Sequence, residues 1–135
     1  MRIMLDTAMC VHLIRQRPQS ALDRFAAYVP GDIGVSTITV AELEYGVSTS
    51  GQPRRNRQAL EQFLSPLDVA SFDRAATRTY GGLRTHLERR GLTIGGMDLL
   101  IAAHALSADV SLVTSNEREF RRVPGLRVEN WGTTR

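Results

Sequence analysis

Ile3-Met4-Leu5-Asp6-Thr7 is a short apolar run that ends abruptly in a carboxylate and a hydroxyl. Uninterrupted apolar runs of this length are typical of strands buried on both faces of a parallel sheet. We predict a strand over Arg2–Leu5, followed by a helix from Met9 to Arg15. In folds of this kind, ligands bind beyond the carboxyl ends of the strands. Asp6 is therefore the first candidate functional residue.

The rest of the chain alternates short β-type runs with amphipathic segments. Further strands are predicted at Ile33–Val35, Leu67–Val69, Ser111–Thr114 and Leu126–Val128. Further helices are predicted at Ala21–Tyr28, Val40–Val47, Arg54–Leu64, Asp73–Arg90, Asp98–Ala108 and Glu117–Phe120. Ser20 is the expected N-cap of the first of these, and Gly91 is expected to end the fourth. The alternation predicts a three-layer α/β/α fold with a central, mostly parallel sheet of about five strands, in a single domain over residues 1–135.

Composition excludes several kinds of protein. The chain has 135 residues, of which 42% are hydrophobic, and Cys10 is its only cysteine. One cysteine allows neither an intramolecular disulfide nor a thiolate-rich metal site. No apolar run approaches the length of a membrane span, and the first residues do not have the layout of a signal peptide. We therefore expect a cytoplasmic protein.

The charge balance favours an anionic partner only weakly. The net charge is +3, and every one of the 17 basic residues is arginine. Arginine suits bidentate contacts to phosphate, although a chain without lysine can also reflect the base composition of a genome. Three arginine clusters are either phosphate contacts or solvated helix faces: Arg54-Arg55-Arg57, Arg84 with Arg89-Arg90, and Arg118 with Arg121-Arg122.

Two further acids lie in distinctive contexts, Glu42 in Thr39-Val40-Ala41-Glu42-Leu43 and Asp98 in Gly95-Gly96-Met97-Asp98-Leu99. Three carboxylates that converge would repel one another and raise at least one pKa, a penalty that Mg²⁺ or Mn²⁺ would remove. Each acid alone also has an ordinary interpretation. The two aspartates are suited to helix N-caps, and Glu42 would be an exposed helical glutamate, as would its neighbour Glu44.

The order of four motifs is more specific than any single acid. They are Leu5-Asp6-Thr7, Ser36 to Gly46, Gly95 to Ala105, and Val113 to Phe120, and they span nearly the whole chain. This pattern resembles the PIN-domain ribonucleases and, within them, the VapC toxins of bacterial toxin–antitoxin pairs. The ending from Arg121 to Trp131 also resembles that group.

The resemblance implies roles for individual residues. Asp6, Glu42 and Asp98 match the metal-binding acids of the family, and Asn116 matches its fourth polar position. Glu119 is a possible additional ligand at the same mouth. Thr7 matches a hydroxyl beside the first acid. Ala8 departs from the pattern, since close relatives often have asparagine there, and this predicts weaker support for Asp6.

The activity implied is endonucleolytic cleavage of RNA that depends on Mg²⁺, with Mn²⁺ as a possible substitute. A metal-activated water would attack the phosphodiester, and the leading substrate class is tRNA, or another structured RNA, cut in a single-stranded loop. The resemblance further implies a homodimer, neutralised by a VapB-type antitoxin that covers the cleft, and a complex of both proteins on operator DNA. The alternative is a PIN-like protein that binds RNA or a partner without cleaving.

Three rival classes of protein fit these residues less well. A receiver domain, a phosphatase of the haloacid dehalogenase type and a P-loop enzyme all require a lysine, which this chain lacks. The histidines show no metal-ligand spacing, and His104 is predicted to be packed and hydrogen-bonded rather than catalytic. Tyr45 and Tyr80 are predicted to be core or interface residues.

Overall fold

A five-stranded parallel sheet forms the centre of the molecule. The computed structural model describes residues 1–132, so the last three residues of the predicted domain lie outside the described part. The strands are β1 (Ile3–Leu5), β2 (Ile33–Ser36), β3 (Asp68–Ala70), β4 (Ser111–Thr114) and β5 (Val128–Asn130). Their order across the sheet is β3-β2-β1-β4-β5, and all four pairings are parallel. The predicted sheet is confirmed, with β1 at its middle.

Helices cover both faces of this sheet. They are α1 (Thr7–Ile14), α2 (Gln19–Ala26), α3 (Thr37–Ser48), α4 (Pro53–Leu64), α5 (Arg74–Arg89), α6 (Gly96–Ala108) and α7 (Glu117–Phe120), with a 3-10 turn at Pro30–Asp32. Ile3 and Leu5 pack into a core cluster with α1 to α4, whereas Met4 packs into a second cluster with α5, α6 and α7. Successive residues of a strand face opposite sides of a sheet, so β1 must be apolar throughout. This is the three-layer arrangement that the alternation predicts.

Several predicted boundaries differ from the structure. Ser20 lies inside α2, and Pro18 occupies the N-cap position instead, so the predicted serine cap is wrong. The last strand is Val128–Asn130 and not Leu126–Val128, because pairing with β4 places Val128 opposite Leu112. Short edge strands are defined by such pairing, which local sequence does not record.

Gly91 ends α5 as predicted. It has a φ of 65°, and the N–H of Leu92 donates to the carbonyl of Leu87 at 2.9 Å. This is the Schellman arrangement, which favours glycine because a left-handed backbone is costly for other residues. The turn directs the chain into the loop 91–95 that leads to α6. No helix within residues 1–132 has the length and apolar character needed to cross a membrane.

Candidate active site

Asp6 lies at the edge of the sheet where β1 and β4 end side by side. Leu5 pairs with Val113, and the residue that follows each of them, Asp6 and Thr114, is buried. Asp6 Oδ1 accepts a hydrogen bond from the N–H of Met9 at 2.8 Å, and Oδ2 accepts one from Thr114 Oγ1 at 2.5 Å. Asp6 therefore caps α1, as its ordinary interpretation predicts, and also presents a fixed carboxylate at the strand ends.

Asp6 has two hydrogen-bond donors although residue 8 is alanine. Ala8 is exposed, and both oxygens of Asp6 already have donors, namely Met9 and Thr114. Thr114 supports Asp6 but is not among the site residues predicted from the sequence. Its position one residue after Val113, at the end of a buried strand, was the available signal.

Glu42 is held from the start of α1. Thr7 Oγ1 donates to Glu42 Oε1 at 2.6 Å and lies 3.2 Å from Thr39 Oγ1. Both glutamates are half-buried, but Glu44 forms an ion pair with Arg57 at 2.6 Å on the other side of α3. Glu44 therefore belongs to the solvated surface, and Glu42 is the acid of this helix that faces Asp6.

Asp98 reaches the same edge from α6. The helix begins at Gly96 with Gly95 as N-cap, so Asp98 lies in the first turn and is not itself the cap. Asp98 shares a hydrogen bond with the carboxyl group of Glu119. Glu119 in turn accepts the N–H of Gly95 on Oε1 at 3.0 Å and the side-chain amide of Asn116 on Oε2 at 3.1 Å.

The acids perturb one another electrostatically. Burial raises the pKa of Asp6 to about 6, the charges of Glu42 and Glu119 add to this rise, and the hydrogen bonds from Thr114 and Met9 oppose it. Burial also raises the pKa of Asp98 to about 7, helped by its hydrogen bond to Glu119 and by the charges of Glu119, Asp6 and Glu42. Such mutual effects require proximity, so the structure brings these four carboxyl groups together.

The donor set fits a hard divalent cation in its chemistry. It consists of carboxylate oxygens with surplus negative charge, which Mg²⁺ and Mn²⁺ prefer. Within residues 1–132, however, no three acidic, histidine or cysteine side chains already surround one point as a finished metal site. Some of the oxygens are engaged by Thr7, Thr114 and the N–H of Gly95. The cluster therefore has the charge that attracts a divalent cation, while several of its oxygens are engaged in hydrogen bonds.

The remaining candidates have structural surroundings. His104 is buried, its Nδ1 lies 2.8 Å from Ser36 Oγ, and burial lowers its pKa, which confirms a packed, hydrogen-bonded histidine. Tyr80 packs beside the second core cluster, as predicted, but Tyr45 is 71% exposed and is not a core residue. Arg84 pairs with Glu88 and Arg121 with Glu117, each within its own helical segment, so both belong to solvated faces.

Comparison with known proteins gives the class of this fold and site. The PIN domain family model matches residues 3–126. The chain therefore belongs to the PIN-domain family. PIN-domain nucleases generally depend on a divalent metal, in agreement with the donor set described above.

Relatives that match nearly the whole chain identify a narrower group within the PIN-domain family. The chain is 45% identical to Ribonuclease VapC2 of Rickettsia felis over 95% of this chain and 96% of that protein. It is 41% identical to the tRNA(fMet)-specific endonuclease VapC of Shigella flexneri over 97% and 98% of the two chains. In the crystal structure of VapBC2 from Rickettsia felis bound to a promoter DNA fragment, one chain superposes with a TM-score of 0.92 at 43% identity, covering 98% of this chain and 100% of that one. Within the PIN-domain family, the chain falls among the VapC ribonucleases.

Proposed function

We propose that this chain, as a single PIN domain over residues 1–135, is a Mg²⁺-dependent endoribonuclease toxin whose site is built on Asp6, Glu42 and Asp98. The observation that carries the proposal is the convergence of these acids with Glu119 at one edge of the sheet, where burial and then the neighbouring negative charges raise the pKa values of Asp6 and Asp98. A site that is costly to charge in the absence of a cation is one that a cation stabilises.

In this proposal Asp6, Glu42 and Asp98 hold Mg²⁺, or Mn²⁺ in its place, and Asn116 and Glu119 contribute additional or water-mediated contacts. The metal supplies Lewis acidity for phosphodiester hydrolysis. Two of these acids are oriented for metal binding by hydrogen bonds, because Thr114 orients Asp6 and Thr7 orients Glu42. Arg15 lines the groove that contains Thr7 and Glu42, where its guanidinium is suited to a flanking phosphate.

The proposed substrate is structured RNA cut in a single-stranded loop, with tRNA as the leading class. Relatives from Shigella flexneri and Salmonella typhimurium, 41% and 39% identical, are both named tRNA(fMet)-specific endonucleases. An unpaired loop can bend its backbone into a narrow cleft, whereas a duplex is too stiff to do so.

The proposed partners are a VapB-type antitoxin, a second copy of this chain and, through the antitoxin, operator DNA. The related structures from Rickettsia felis and Salmonella typhimurium are VapBC complexes bound to DNA. An apolar groove between α1, α3 and α4, lined by Val11, Leu43, Val47 and Leu60, runs to Glu42. We propose that the antitoxin segment lies along this groove with a basic side chain near Glu42, and that both proteins act in the cytoplasm.

The test compares wild type with Asp6→Asn and Asp98→Asn on total bacterial RNA in Mg²⁺, Mn²⁺ or EDTA. Discrete products with either metal, absent in EDTA and in both variants, are expected. Glu44→Gln is the matched control, because Glu44 is an acid of α3 that pairs with Arg57 away from the site. Cleavage that persists in EDTA or in both asparagine variants would overturn the proposal. RNA binding without any cleavage by wild type would instead support the non-enzymatic alternative.

A further inference from the structure

Two hydrogen bonds tie α7 and the turn after it to the loop that precedes α6. Glu119 Oε1 accepts the N–H of Gly95 at 3.0 Å, and Arg122 Nη1 donates to the carbonyl oxygen of Thr93 at 2.8 Å. Glu119 and Arg122 are three residues apart, a spacing that places side chains on the same side of a helical segment. We call these two contacts the α7 clamp.

The clamp acts on the part of the loop that sets the start of α6. Gly95 is the N-cap of this helix and makes no side-chain capping bond, while its carbonyl accepts the N–H of Leu99 at 2.8 Å. Asp98 lies within that first turn. Because Asp98 lies three residues after Gly95 in this hydrogen-bonded turn, we expect a displacement of Gly95 to displace Asp98 with it.

The other end of the loop is already fixed by the turn at Gly91, where the N–H of Leu92 bonds to Leu87. The clamp therefore restrains the span of the loop between that turn and α6. Arg122 is exposed, and its bond goes to the backbone of this loop and not to an acid of the site. The Arg122 side chain therefore holds the loop in place and is not itself a metal ligand.

We propose that Arg122 is a positioning residue of the nuclease site, whose hydrogen bond to Thr93 holds Asp98 at the correct distance from Asp6 and Glu42. The inference rests on the proposed function, in which these acids bind a divalent metal. The proposal gives the turn after α7 a role in metal affinity that requires no contact with either metal or RNA.

The first test measures Mn²⁺ affinity by calorimetry. Outer residues that orient metal ligands typically change affinity by about 10-fold or more when removed, so we expect a loss of that order in Arg122→Ala. Arg122→Lys, which keeps the charge and one donor, should recover most of the affinity. Arg121→Ala is the matched control, since it removes the adjacent arginine, whose bond goes to Glu117 at 2.9 Å.

The second test separates positioning from a general loss of structure or charge. Amide hydrogen exchange at Gly95 and Leu99 should accelerate in Arg122→Ala and stay as in wild type in Arg121→Ala. In RNA cleavage, kcat should fall in Arg122→Ala, while KM should change no more than it does in Arg121→Ala. If Arg122→Ala loses exchange protection throughout the protein, the variant is unfolded. The same measurements on Arg122→Lys, which should retain the fold, then test the proposal.

Wild-type Mn²⁺ affinity and wild-type exchange in Arg122→Ala would overturn the inference. So would equal losses of affinity in Arg122→Ala and Arg121→Ala, which would make the effect one of charge. If wild type binds Mn²⁺ no better than Asp98→Asn does, the proposed function fails and the inference fails with it, an outcome distinct from the others.

Discussion

Thr114 Oγ1 donates a hydrogen bond of 2.5 Å to Asp6 Oδ2, joining two residues that are 108 positions apart in the chain. Asp6 directly follows β1 and Thr114 ends β4, and the pairing of Leu5 with Val113 brings them side by side. The same hydroxyl oxygen accepts the N–H of Asn116 at 2.8 Å. Thr114 thus connects the first acid of the site with the segment that carries Asn116 and Glu119.

Thr114→Val should destabilise the protein and weaken cleavage. Valine has nearly the shape of threonine but leaves Asp6 without this donor and Asn116 without its acceptor. Hydrogen bonds to charged groups are worth about 1.5–3 kcal/mol, so urea denaturation should show a loss of that order. Thr85→Val is the control, because the Thr85 hydroxyl bonds to the carbonyl oxygen of Gly81 on the exposed face of α5. Equal stability of the two variants would contradict the prediction.

The metal-free protein should lose stability as the pH rises from about 4 to 7. Asp6 and Asp98 have folded-state pKa values of about 6 and about 7, raised from an ordinary value of 3.8. The folded state therefore holds their protons more tightly than the unfolded state, a stabilisation that is complete below the unfolded pKa and lost as the pH passes the folded values. For Asp6, the difference between a pKa of 3.8 and a pKa of about 6 corresponds to about 3 kcal/mol in the free energy of unfolding.

Asp98→Asn provides the internal check for this pH dependence. The amide cannot ionise, so the stability of the variant relative to wild type should increase between pH 4 and 7 and level off above that range. Urea denaturation in EDTA across this range measures the difference. A difference that does not vary with pH would show that Asp98 titrates normally in the folded protein.

Divalent metal should stabilise wild type more strongly at pH 8 than at pH 5. Binding needs ionised carboxylates, and protons compete for Asp6 and Asp98 at the lower pH. At about 100 times its Kd, a ligand of the folded state adds about 2.7 kcal/mol of stability. Thermal denaturation with Mg²⁺ or Mn²⁺, reversed by EDTA, measures the effect. Equal stabilisation of wild type and Asp98→Asn would place the metal elsewhere.

Two glycines should respond to alanine in opposite directions. Gly81 lies within α5, and a Cβ there would meet nothing within 4 Å, so Gly81→Ala should stabilise by about 0.5–1 kcal/mol through helix propensity. Gly91 has a φ of 65°, so Gly91→Ala should destabilise by about 1 kcal/mol or more although it too has space. Urea denaturation measures both changes in stability. If both substitutions stabilise the protein, or both destabilise it, the argument from backbone conformation is refuted.

The sequence predicts the sheet from short apolar runs and most helices from apolar residues at helical spacing. The uninterrupted apolar run Ile3–Leu5 follows from burial on both faces of β1, which a parallel sheet between two helical layers imposes. The N-cap predicted for α2 is wrong: Ser20 has the side chain of a cap, but the helix begins at Gln19, and Pro18 is the N-cap residue without a side-chain capping bond. Boundaries of this kind depend on where the preceding chain enters.

Of the candidate site, the acids are predictable from sequence and their supports are not. Asp6, Glu42 and Asp98 each lie in recognisable motifs, but the bond from Thr7 to Glu42 and the bond from Thr114 to Asp6 join distant segments. The same holds for Glu119, whose contacts with Gly95 and Asn116 give it a supporting role that spacing alone does not reveal. These supporting roles depend on contacts between distant segments of the folded chain.

The central position of β1, between β2 and β4, has a consequence for the newly synthesised chain. β1 is synthesised before β4, yet β4, formed by residues 111–114, is the neighbour that completes the pairing of β1 on this side. Contacts of such long sequence separation form only after the intervening chain is available. Until β4 emerges, Asp6 has no Thr114 beside it and Asp98 has no Glu119. The nascent chain therefore acquires its complete acidic cluster only after β4 and α7 have been synthesised.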